Sequence, residues 1–133
     1  MFHAFGIAAR DGVATFRAPA NPAHISHVLV EGGGHGELQW PIRRLSSVMA
    51  ELGHDRIDLL KMDIEGAEYE VIRDLVESGL DVGQLLVEFH HRIHKLGVER
   101  TQEALGLLKR SGFRIFYVSD NGVAVSLLSQ GTS

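Results

Sequence analysis

The clearest pattern along the chain is a series of apolar runs in its second half that alternate with stretches of helical periodicity. Apolar runs of strand length indicate strands that are buried on both faces, as in a sheet covered by helices. Apolar residues at helical spacing, such as Val71, Ile72 and Leu75, indicate a helix with one buried face. The pattern predicts a strand, a helix, a strand, a helix and two strands, at residues 57–64, 66–78, 85–89, 99–111, 113–118 and 123–128.

This order of elements is typical of an α/β protein with a mostly parallel sheet. The last two predicted strands are separated by Asp120-Asn121-Gly122, a sequence that favours a tight turn. We therefore expect a final hairpin, which adds an antiparallel C-terminal strand to the sheet.

The first 43 residues show shorter strand patterns and loops. Asp11-Gly12 separates the apolar residues 2–8 from a strand pattern at 13–16, and this dipeptide predicts a hairpin turn between two strands. Further short strands are expected at residues 28–30 and 37–42. The glycine-rich run at residues 32–36 lacks the Lys-Ser/Thr ending of a phosphate-binding loop, and no helix clearly follows it. We interpret it as a flexible connection.

A short helix is predicted after Arg44, with Ser46 or Ser47 as its N-cap and Gly53 at its end. No linker divides the chain, so we expect a single domain over residues 1–133. Its expected parts are a hairpin and loop region at 1–43, a strand and helix core at 44–128, and a disordered polar tail at 129–133.

Composition and charge exclude several classes of function. The formal net charge of -4 argues against nucleic-acid binding, which needs a basic surface. The chain has no cysteine, so it forms no disulfide, thiolate metal site or cysteine nucleophile. No apolar run approaches the roughly 20 residues of a membrane span, and the first residues lack the pattern of a signal peptide. We therefore expect a cytoplasmic protein.

Two of the predicted strands finish in groups that can perform acid–base chemistry or bind a ligand. Asp63 and Glu65, followed by Gly66, come at the end of the first, and Glu88 and His90 come at the end of the second. Neighbouring strands lie about 4.8 Å apart, and open α/β sheets bind ligands beyond the carboxyl ends of their strands. We therefore expect these acidic and imidazole side chains to face one crevice. Since alternate strand residues share a face, Glu88 and His90 are expected on the same side.

Each of these residues also has a structural interpretation. Glu65 and Glu68 stand where a helix is predicted to begin, and negative charge there is favoured by about 0.3–1 kcal/mol. Gly66 can simply permit a tight turn, and a single histidine is more often a hydrogen-bonded packing residue than a catalytic one. Asp63 and Glu88 are harder to explain in this way, because an unpaired carboxylate at the end of an apolar strand is costly.

Several segments of the chain resemble the FkbM-type methyltransferases. The central segment is residues 56–72, RIDLLKMDIEGAEYEVI, in which the block DIEGAE carries most of the likeness. Further segments that resemble the family domain are residues 6–16, 43–45, 85–90 and 112–119. The resemblance therefore covers nearly the whole chain.

The resemblance implies a Rossmann-like class I methyltransferase fold, S-adenosylmethionine as the methyl donor, and usually an oxygen acceptor on a sugar, a lipid or another small molecule. By matching position, it places Asp63 at the end of the fourth family strand, beside the reactive end of the cofactor. Glu65 and Gly66 match the other fixed points of the motif, and we expect them to bind the cofactor together with Asp63. Glu88 and His90 match the end of the fifth strand. Asp63, Glu88 or His90 is expected to accept the proton of the acceptor.

The chain departs from the family pattern before Asp63. The family begins with a strand, a glycine-rich turn and a helix that hold the cofactor, followed by an acidic residue that holds the ribose, and neither feature precedes Asp63 here. We therefore expect an incomplete domain, the C-terminal portion, with an uncovered strand edge at residues 57–64 that can mediate self-association. We also expect the chain alone to bind S-adenosylmethionine more weakly than about 1 mM.

Two other classes of function fit parts of the pattern. One is a non-catalytic binding or assembly module that keeps the fold without the cofactor chemistry. The other is a metal-dependent hydrolase that uses Asp63, Glu65, Glu88 and His90, since these side chains suit a hard or borderline divalent ion. They lack the close spacing of a metal-binding motif, so the sequence alone predicts no metal site.

Overall fold

The computed structural model of the protein describes residues 1–23, 27–31, 37–92 and 97–131. Across these residues the chain forms eight strands and three helices. In chain order the elements are β1 (Gly6–Ile7), β2 (Gly12–Arg17), β3 (Val28–Val30), β4 (Glu37–Arg43), α1 (Leu45–Leu52), β5 (Ile57–Met62), α2 (Glu68–Glu77), β6 (Val82–Glu88), α3 (Val98–Arg110), β7 (Phe113–Val118) and β8 (Ala124–Ser129). The protein is of the α/β class, with two mixed sheets of order β1-β4-β2-β3 and β5-β6-β8-β7.

The second sheet contains the elements predicted from residue 57 onward. β5 pairs with β6 in parallel, whereas β8 lies between β6 and β7 and pairs antiparallel with both. β5, β6 and β7 therefore run in one direction and β8 runs against them, which confirms the predicted hairpin and antiparallel C-terminal strand. Because β8 separates β6 from β7, the sheet is mixed. Among its described strands, β5 and β6 form the one parallel pair.

The main core lies where the two long helices cover the second sheet. Leu85 on β6, Leu127 on β8, Ile72 on α2 and Leu108 on α3 are all fully buried and belong to one apolar cluster. Burying a side chain of this size contributes about 1.5–3 kcal/mol relative to leaving it in water. The apolar faces of α2 and α3 therefore pack against the sheet, as their periodicity predicted.

The first sheet differs from its prediction, because β1 and β2 do not form a hairpin. β4 lies between them, parallel to β1 and antiparallel to β2. β2 pairs with β4 over six residue pairs, from Gly12–Ile42 to Arg17–Glu37, whereas β1 is only two residues long. The longer ladder offers β2 more backbone hydrogen bonds than β1 could, which explains why the local turn signal was overridden.

The side chain of Asp11 also explains the failed hairpin. Its Oδ1 accepts a hydrogen bond from the backbone N–H of Arg44 at 2.8 Å, and its Oδ2 accepts one from the Ser47 hydroxyl at 2.6 Å. Asp11 thus accepts hydrogen bonds from groups at the start of α1, although it lies in another part of the chain. The predicted serine cap is wrong, since the N-cap of α1 is Arg44 and its side chain forms no capping hydrogen bond. Gly53 ends α1 in the left-handed conformation, as predicted.

The two sheets are joined through α1 and α2. The Arg44 guanidinium pairs with the Asp74 carboxylate at 2.5 Å and donates to the Ser78 hydroxyl at 3.0 Å. Ile7 of β1 also packs against the main core. This junction ties the residue between β4 and α1 to the C-terminal half of α2.

Several remaining predictions concern the edges and ends of the chain. β5 has a described partner on one side only, and Leu59 on it is 55% exposed, so self-association through this edge stays a prediction. A disordered tail was predicted for residues 129–133, but Ser129 is the last residue of β8. The glycine-rich run at 32–36 lies outside the described residues. Among the described helices, none is both long and apolar enough to cross a membrane.

Candidate functional site: an acid–imidazole cluster

The candidate site lies at the carboxyl ends of β5 and β6. Met62, the last residue of β5, stands opposite Val87 in the parallel ladder, so the segments that follow the two strands leave the sheet side by side. Asp63 follows β5 directly, and His90 comes two residues after β6 ends at Glu88. The parallel pairing therefore brings together residues that are far apart in the sequence, as the strand pattern predicted for Asp63 and His90.

His90 is the centre of the cluster and is held by a buried carboxylate. Its Nδ1 forms a short hydrogen bond with Oε1 of Glu68, the first residue of α2. Glu68 is fully buried, and His90 is only 8% exposed. A buried carboxylate needs a partner of this kind, because desolvation is costly for an unpaired charge. The pair fixes the orientation of the imidazole ring.

The other ring nitrogen of His90 faces two further carboxylates. Nε2 lies 3.4 Å from Oδ1 of Asp63 and 3.6 Å from Oε2 of Glu65. The side chains of Asp63 and Glu65 are 45% and 21% exposed, so this side of the cluster opens to solvent. A small molecule can therefore approach Asp63 and Glu65, whereas Glu68 lies behind the imidazole.

The turn between β5 and α2 places Glu65 in this cluster. Glu65 has a φ of 54° and Gly66 a φ of 103°, both in the left-handed region. Such a conformation costs a non-glycine residue on the order of 1–3 kcal/mol, and strain of this kind is concentrated at functional sites. The conformation of Gly66 explains why α2 begins at Glu68, two residues later than predicted. The predicted cofactor contacts of Asp63, Glu65 and Gly66 remain predictions.

The electrostatic environment of His90 favours its protonated form. Burial by itself lowers the pKa of the imidazole, but the hydrogen bond and charge of Glu68, together with the charges of Glu65 and Asp63, raise the pKa above its usual value. The site can therefore hold a positive charge between carboxylates.

Glu88 is not part of the cluster, although the sequence placed it on the same face as His90. β6 ends at Glu88, so strand alternation no longer applies two residues later. Glu88 is exposed, and its side chain forms no hydrogen bond or ion pair with any described residue. The neighbouring His91 has a structural contact, since its Nδ1 lies 3.1 Å from the Thr101 hydroxyl, which also bonds Tyr69.

Glu68 has a larger role than the sequence predicted. Its position at the start of a helix indicates only a favourable negative charge, whereas the structure makes it the buried partner of His90. The signal that identifies it is periodic, because Glu68 stands in line with Val71, Ile72 and Leu75 on the buried face of α2. A carboxylate at an apolar-stripe position needs a buried partner, and His90 is that partner.

A cavity of about 800 Å³ adjoins the cluster, between the first sheet and the turn before α2. Ala14, Val30 and Ile42 line it from the sheet, and Glu65 and Gly66 line it from the turn. Its volume lies in the range of about 300–1,000 Å³ that is typical of small-molecule sites. Glu65 belongs to both the cavity and the cluster, so a molecule bound in the cavity would lie close to the acidic groups.

The fold and the site define an α/β protein with an acid–imidazole cluster at the carboxyl ends of two adjacent parallel strands. Residues 5–115 match the model of the methyltransferase FkbM domain, and the chain therefore belongs to this family. The resemblance of the DIEGAE segment to this family is thus confirmed. No solved structure gives a significant match to the chain.

Three similar proteins share part of the chain. The AMB antimetabolite synthetase AmbE of Pseudomonas aeruginosa is 39% identical over 75 residues, which are 56% of this chain and 4% of that protein. Probable methyltransferase-like protein 24 of Rattus norvegicus is 37% identical over 87 residues, covering 56% of this chain and 23% of the relative. The Homo sapiens protein of the same name is 44% identical over 59 residues, covering 43% of this chain and 16% of the relative. The chain thus spans less than a quarter of each relative.

Proposed function

We propose that this chain is part of an S-adenosylmethionine-dependent methyltransferase that methylates an oxygen atom of a small-molecule, sugar or lipid-linked acceptor. Membership of the FkbM methyltransferase family supports the reaction type, and the names of two similar proteins agree with it. The order β5-β6-β8-β7, with β8 antiparallel, is compatible with one half of a Rossmann-like sheet.

The observation that carries the proposal is the position of Asp63, Glu65 and His90. All three stand just beyond the carboxyl ends of β5 and β6, where open α/β sheets bind their ligands. The cluster is also solvent-accessible on one side only, through Asp63 and Glu65. A reaction centre needs both features, since the substrate must enter while the reacting groups stay in a fixed orientation.

Asp63 is the group that we assign to accept the proton. It is the most exposed member of the cluster, and His90, held by Glu68, lies against it. In the proposed step the acceptor oxygen forms a bond to the methyl carbon while the sulfur–carbon bond breaks, and S-adenosylhomocysteine leaves. The hydroxyl proton passes to Asp63. His90 positions this carboxylate, and Glu65 and Gly66, which also line the cavity, lie where the donor and the acceptor meet.

The cavity beside the cluster suits the acceptor. Arg10 and Arg17 add basic groups, and Glu31, Glu65 and Glu70 add acidic groups, to a wall that is otherwise built mainly of apolar side chains. Such a wall accepts a molecule that combines apolar surface with hydroxyl groups. We therefore place the acceptor over the first sheet, with its reacting oxygen directed towards Glu65 and Asp63.

Transfer of labelled methyl groups tests this proposal. The chain is incubated with millimolar methyl-labelled S-adenosylmethionine and a panel of hydroxylated sugars, lipids and small molecules. We expect Asp63→Asn to reduce transfer by about 10²–10⁴-fold, the usual contribution of a general base. The matched control is Asp58→Asn, the same change on the same strand, because Asp58 lies away from the cluster and is 96% exposed.

The same assay distinguishes the alternatives. If calorimetry shows that the wild-type chain is saturated with S-adenosylmethionine in the assay and it still transfers no label to any acceptor, the non-catalytic module becomes the better description. Equal transfer by Asp63→Asn and Asp58→Asn would contradict the role of Asp63. If Glu88→Gln loses transfer and Asp63→Asn retains it, Glu88 becomes the proton acceptor, which is one of the three alternatives that the sequence left open.

A further inference from the structure

We propose that Asp63, Glu65 and His90 form a binding site for one divalent metal ion of intermediate hardness, such as Mn²⁺ or Zn²⁺. Each residue offers one ligand atom, and these three atoms lie within 4.8 Å of one another. The site is distinct from a cluster of surface acids, because its imidazole is more than nine-tenths buried.

The separations within the cluster fit a metal better than a set of hydrogen bonds. Nε2 of His90 lies 3.4 Å from Asp63 and 3.6 Å from Glu65, whereas N–H···O hydrogen bonds have a length of about 2.7–3.2 Å. Ligand atoms at bond lengths of about 2.0–2.2 Å from a tetrahedral ion lie about 3.4 Å from each other. The observed spacing leaves room for an ion between the three atoms.

The hydrogen bond to Glu68 prepares His90 for this role. A metal ion at this position takes the place of the Nε2 proton: with Nδ1–H donating to the Glu68 carboxylate, the deprotonated Nε2 directs its lone pair towards Asp63 and Glu65. Metal-bound histidines almost always donate their other ring N–H to a carboxylate or carbonyl in this way, because the contact fixes the tautomer and the ring orientation. Glu68 is thus a positioning residue that touches no ion itself.

The charge balance of the cluster points to the same conclusion. Three carboxylates, from Asp63, Glu65 and Glu68, surround one imidazole, and in the described part of the chain no lysine or arginine pairs with any of them. Oε2 of the fully buried Glu68 also has no hydrogen-bond partner there. One imidazolium can balance only one of these three carboxylates, and uncompensated negative charge beside a buried group is costly; a divalent cation supplies the balance.

The ligand set indicates the class of ion. One imidazole and two carboxylates suit ions such as Mn²⁺, Fe²⁺ or Zn²⁺ better than Ca²⁺, which prefers oxygen ligands only. Three protein ligands leave at least one coordination position open, and an acceptor oxygen could occupy it. This role of the ion rests on the proposed function, whereas its binding does not.

The spacing of the ligands explains why the sequence predicted no metal. Asp63 and Glu65 are near neighbours, but His90 follows only after a helix and a strand. Only the parallel pairing of β5 and β6, together with the left-handed turn at Glu65, brings the three ligand atoms together.

Metal titration of the chain, without methyl donor, tests the inference. Binding of Mn²⁺ is followed by electron paramagnetic resonance, and binding of Zn²⁺ by calorimetry. We expect one site per chain, and an affinity at least 10-fold weaker in Asp63→Asn and in Glu65→Gln. Both substitutions are at partly exposed positions, so circular dichroism can verify that each variant folds. Asp58→Asn, which changes the same residue type at the far end of β5, should bind like the wild type.

The outcomes separate this inference from the proposed function. Equal binding by Asp58→Asn and Asp63→Asn, or no saturable binding of either ion at millimolar concentration, would overturn the metal site while leaving the methyl-transfer assay to stand on its own. Conversely, metal binding that depends on Asp63 and Glu65, in a chain that is saturated with S-adenosylmethionine and transfers no methyl group, would retain the site and reject the proposed reaction.

Discussion

The two ends of the β5–β6 pair carry similar numbers of charged groups in very different arrangements. At the amino end, Arg56 pairs with Asp58 at 3.1 Å and with Asp81 at 3.3 Å, and all three side chains are more than half exposed. At the carboxyl end, three carboxylates surround one imidazole, and the central Glu68–His90 pair is buried. At the amino end the charged groups are paired and exposed to solvent. At the carboxyl end the acidic groups outnumber the basic one, and the central pair is buried.

This contrast shows which charges serve the fold and which serve a ligand. Solvent-exposed ion pairs contribute little to the stability of a protein, with a median of about 0–1 kcal/mol. The charged groups at the amino end are therefore expected to have little effect on the free energy of unfolding. A buried acidic cluster is unfavourable for stability unless a ligand or a proton neutralises it. The comparison therefore predicts that substitutions of the same kind have very different effects at the two ends.

The largest effect is expected from breaking the buried pair at the carboxyl end. His90→Ala leaves Glu68 fully buried without its partner, and such a change destabilises proteins by about 3–5 kcal/mol. The free energy of unfolding is measured by urea titration in the presence of a chelator, so that no metal contributes. The double variant Glu68→Gln/His90→Ala should recover a substantial part of the loss, because it removes the uncompensated charge. A single variant that loses less than about 1 kcal/mol would show that Glu68 does not depend on His90.

An intermediate effect is expected from the backbone at the amino end. A Cβ on Gly83 of β6 would lie 2.9 Å from the backbone oxygen of Asp58 and 2.7 Å from the flexible Arg56 guanidinium. Overpacking of this kind costs about 1–3 kcal/mol, so Gly83→Ala should lower the thermal midpoint. The control is Gly106→Ala in α3, where the new Cβ approaches only the Arg110 side chain and the helix gains about 0.5–1 kcal/mol. Equal stability of the two variants would contradict the close approach of β5 and β6.

A small effect is expected from the charges at the amino end. Arg56→Ala removes both ion pairs, but these are exposed to solvent. We expect a loss of about 0.2–1 kcal/mol that shrinks further at high salt, measured by urea unfolding at two ionic strengths. A loss comparable to that of His90→Ala would remove the contrast between the two ends.

The sequence allowed the second sheet to be predicted because its signals are local and agree with one another. Apolar runs, amphipathic helices and the Asp120-Asn121-Gly122 turn all indicate the same elements, and the structure contains them at nearly the same residues. The positions of Asp63 and His90 at adjacent strand ends follow from this order. By contrast, the exclusion of Glu88 depends on where β6 stops, and strand ends are poorly defined by an apolar pattern.

The first sheet could not be predicted in the same way, since its pairing is not local. Asp11-Gly12 favours a turn between neighbours, but β4 from a later part of the chain enters between β1 and β2. The role of Glu68 was missed for a related reason, as its partner His90 lies 22 residues away. Local patterns identify elements, whereas the partners of buried polar groups emerge only when the elements are assembled.

The smallest expected effect concerns Asp11, whose side chain joins the first sheet to the start of α1. Hydrogen bonds from the Ser47 hydroxyl and the Arg44 backbone N–H, with help from the Arg43 charge, hold the pKa of Asp11 below its usual value. A carboxyl whose pKa is lower in the folded state stabilises the fold above its unfolded pKa of about 3.9, and this contribution disappears as the pH falls through the folded pKa. Asp11→Asn should therefore be less stable than the wild type at pH 7, and the difference should vanish at strongly acidic pH.

Urea unfolding at a series of pH values measures this difference. Asp55→Asn is the matched control, because Asp55 is exposed and its side chain forms no hydrogen bond or ion pair with any described residue. A stability difference between Asp11→Asn and the wild type that does not change between neutral and acidic pH would mean that the Asp11 charge is not involved. In that case the start of α1 would depend on the shape of the side chain alone, and the link between the first sheet and α1 would be steric rather than electrostatic.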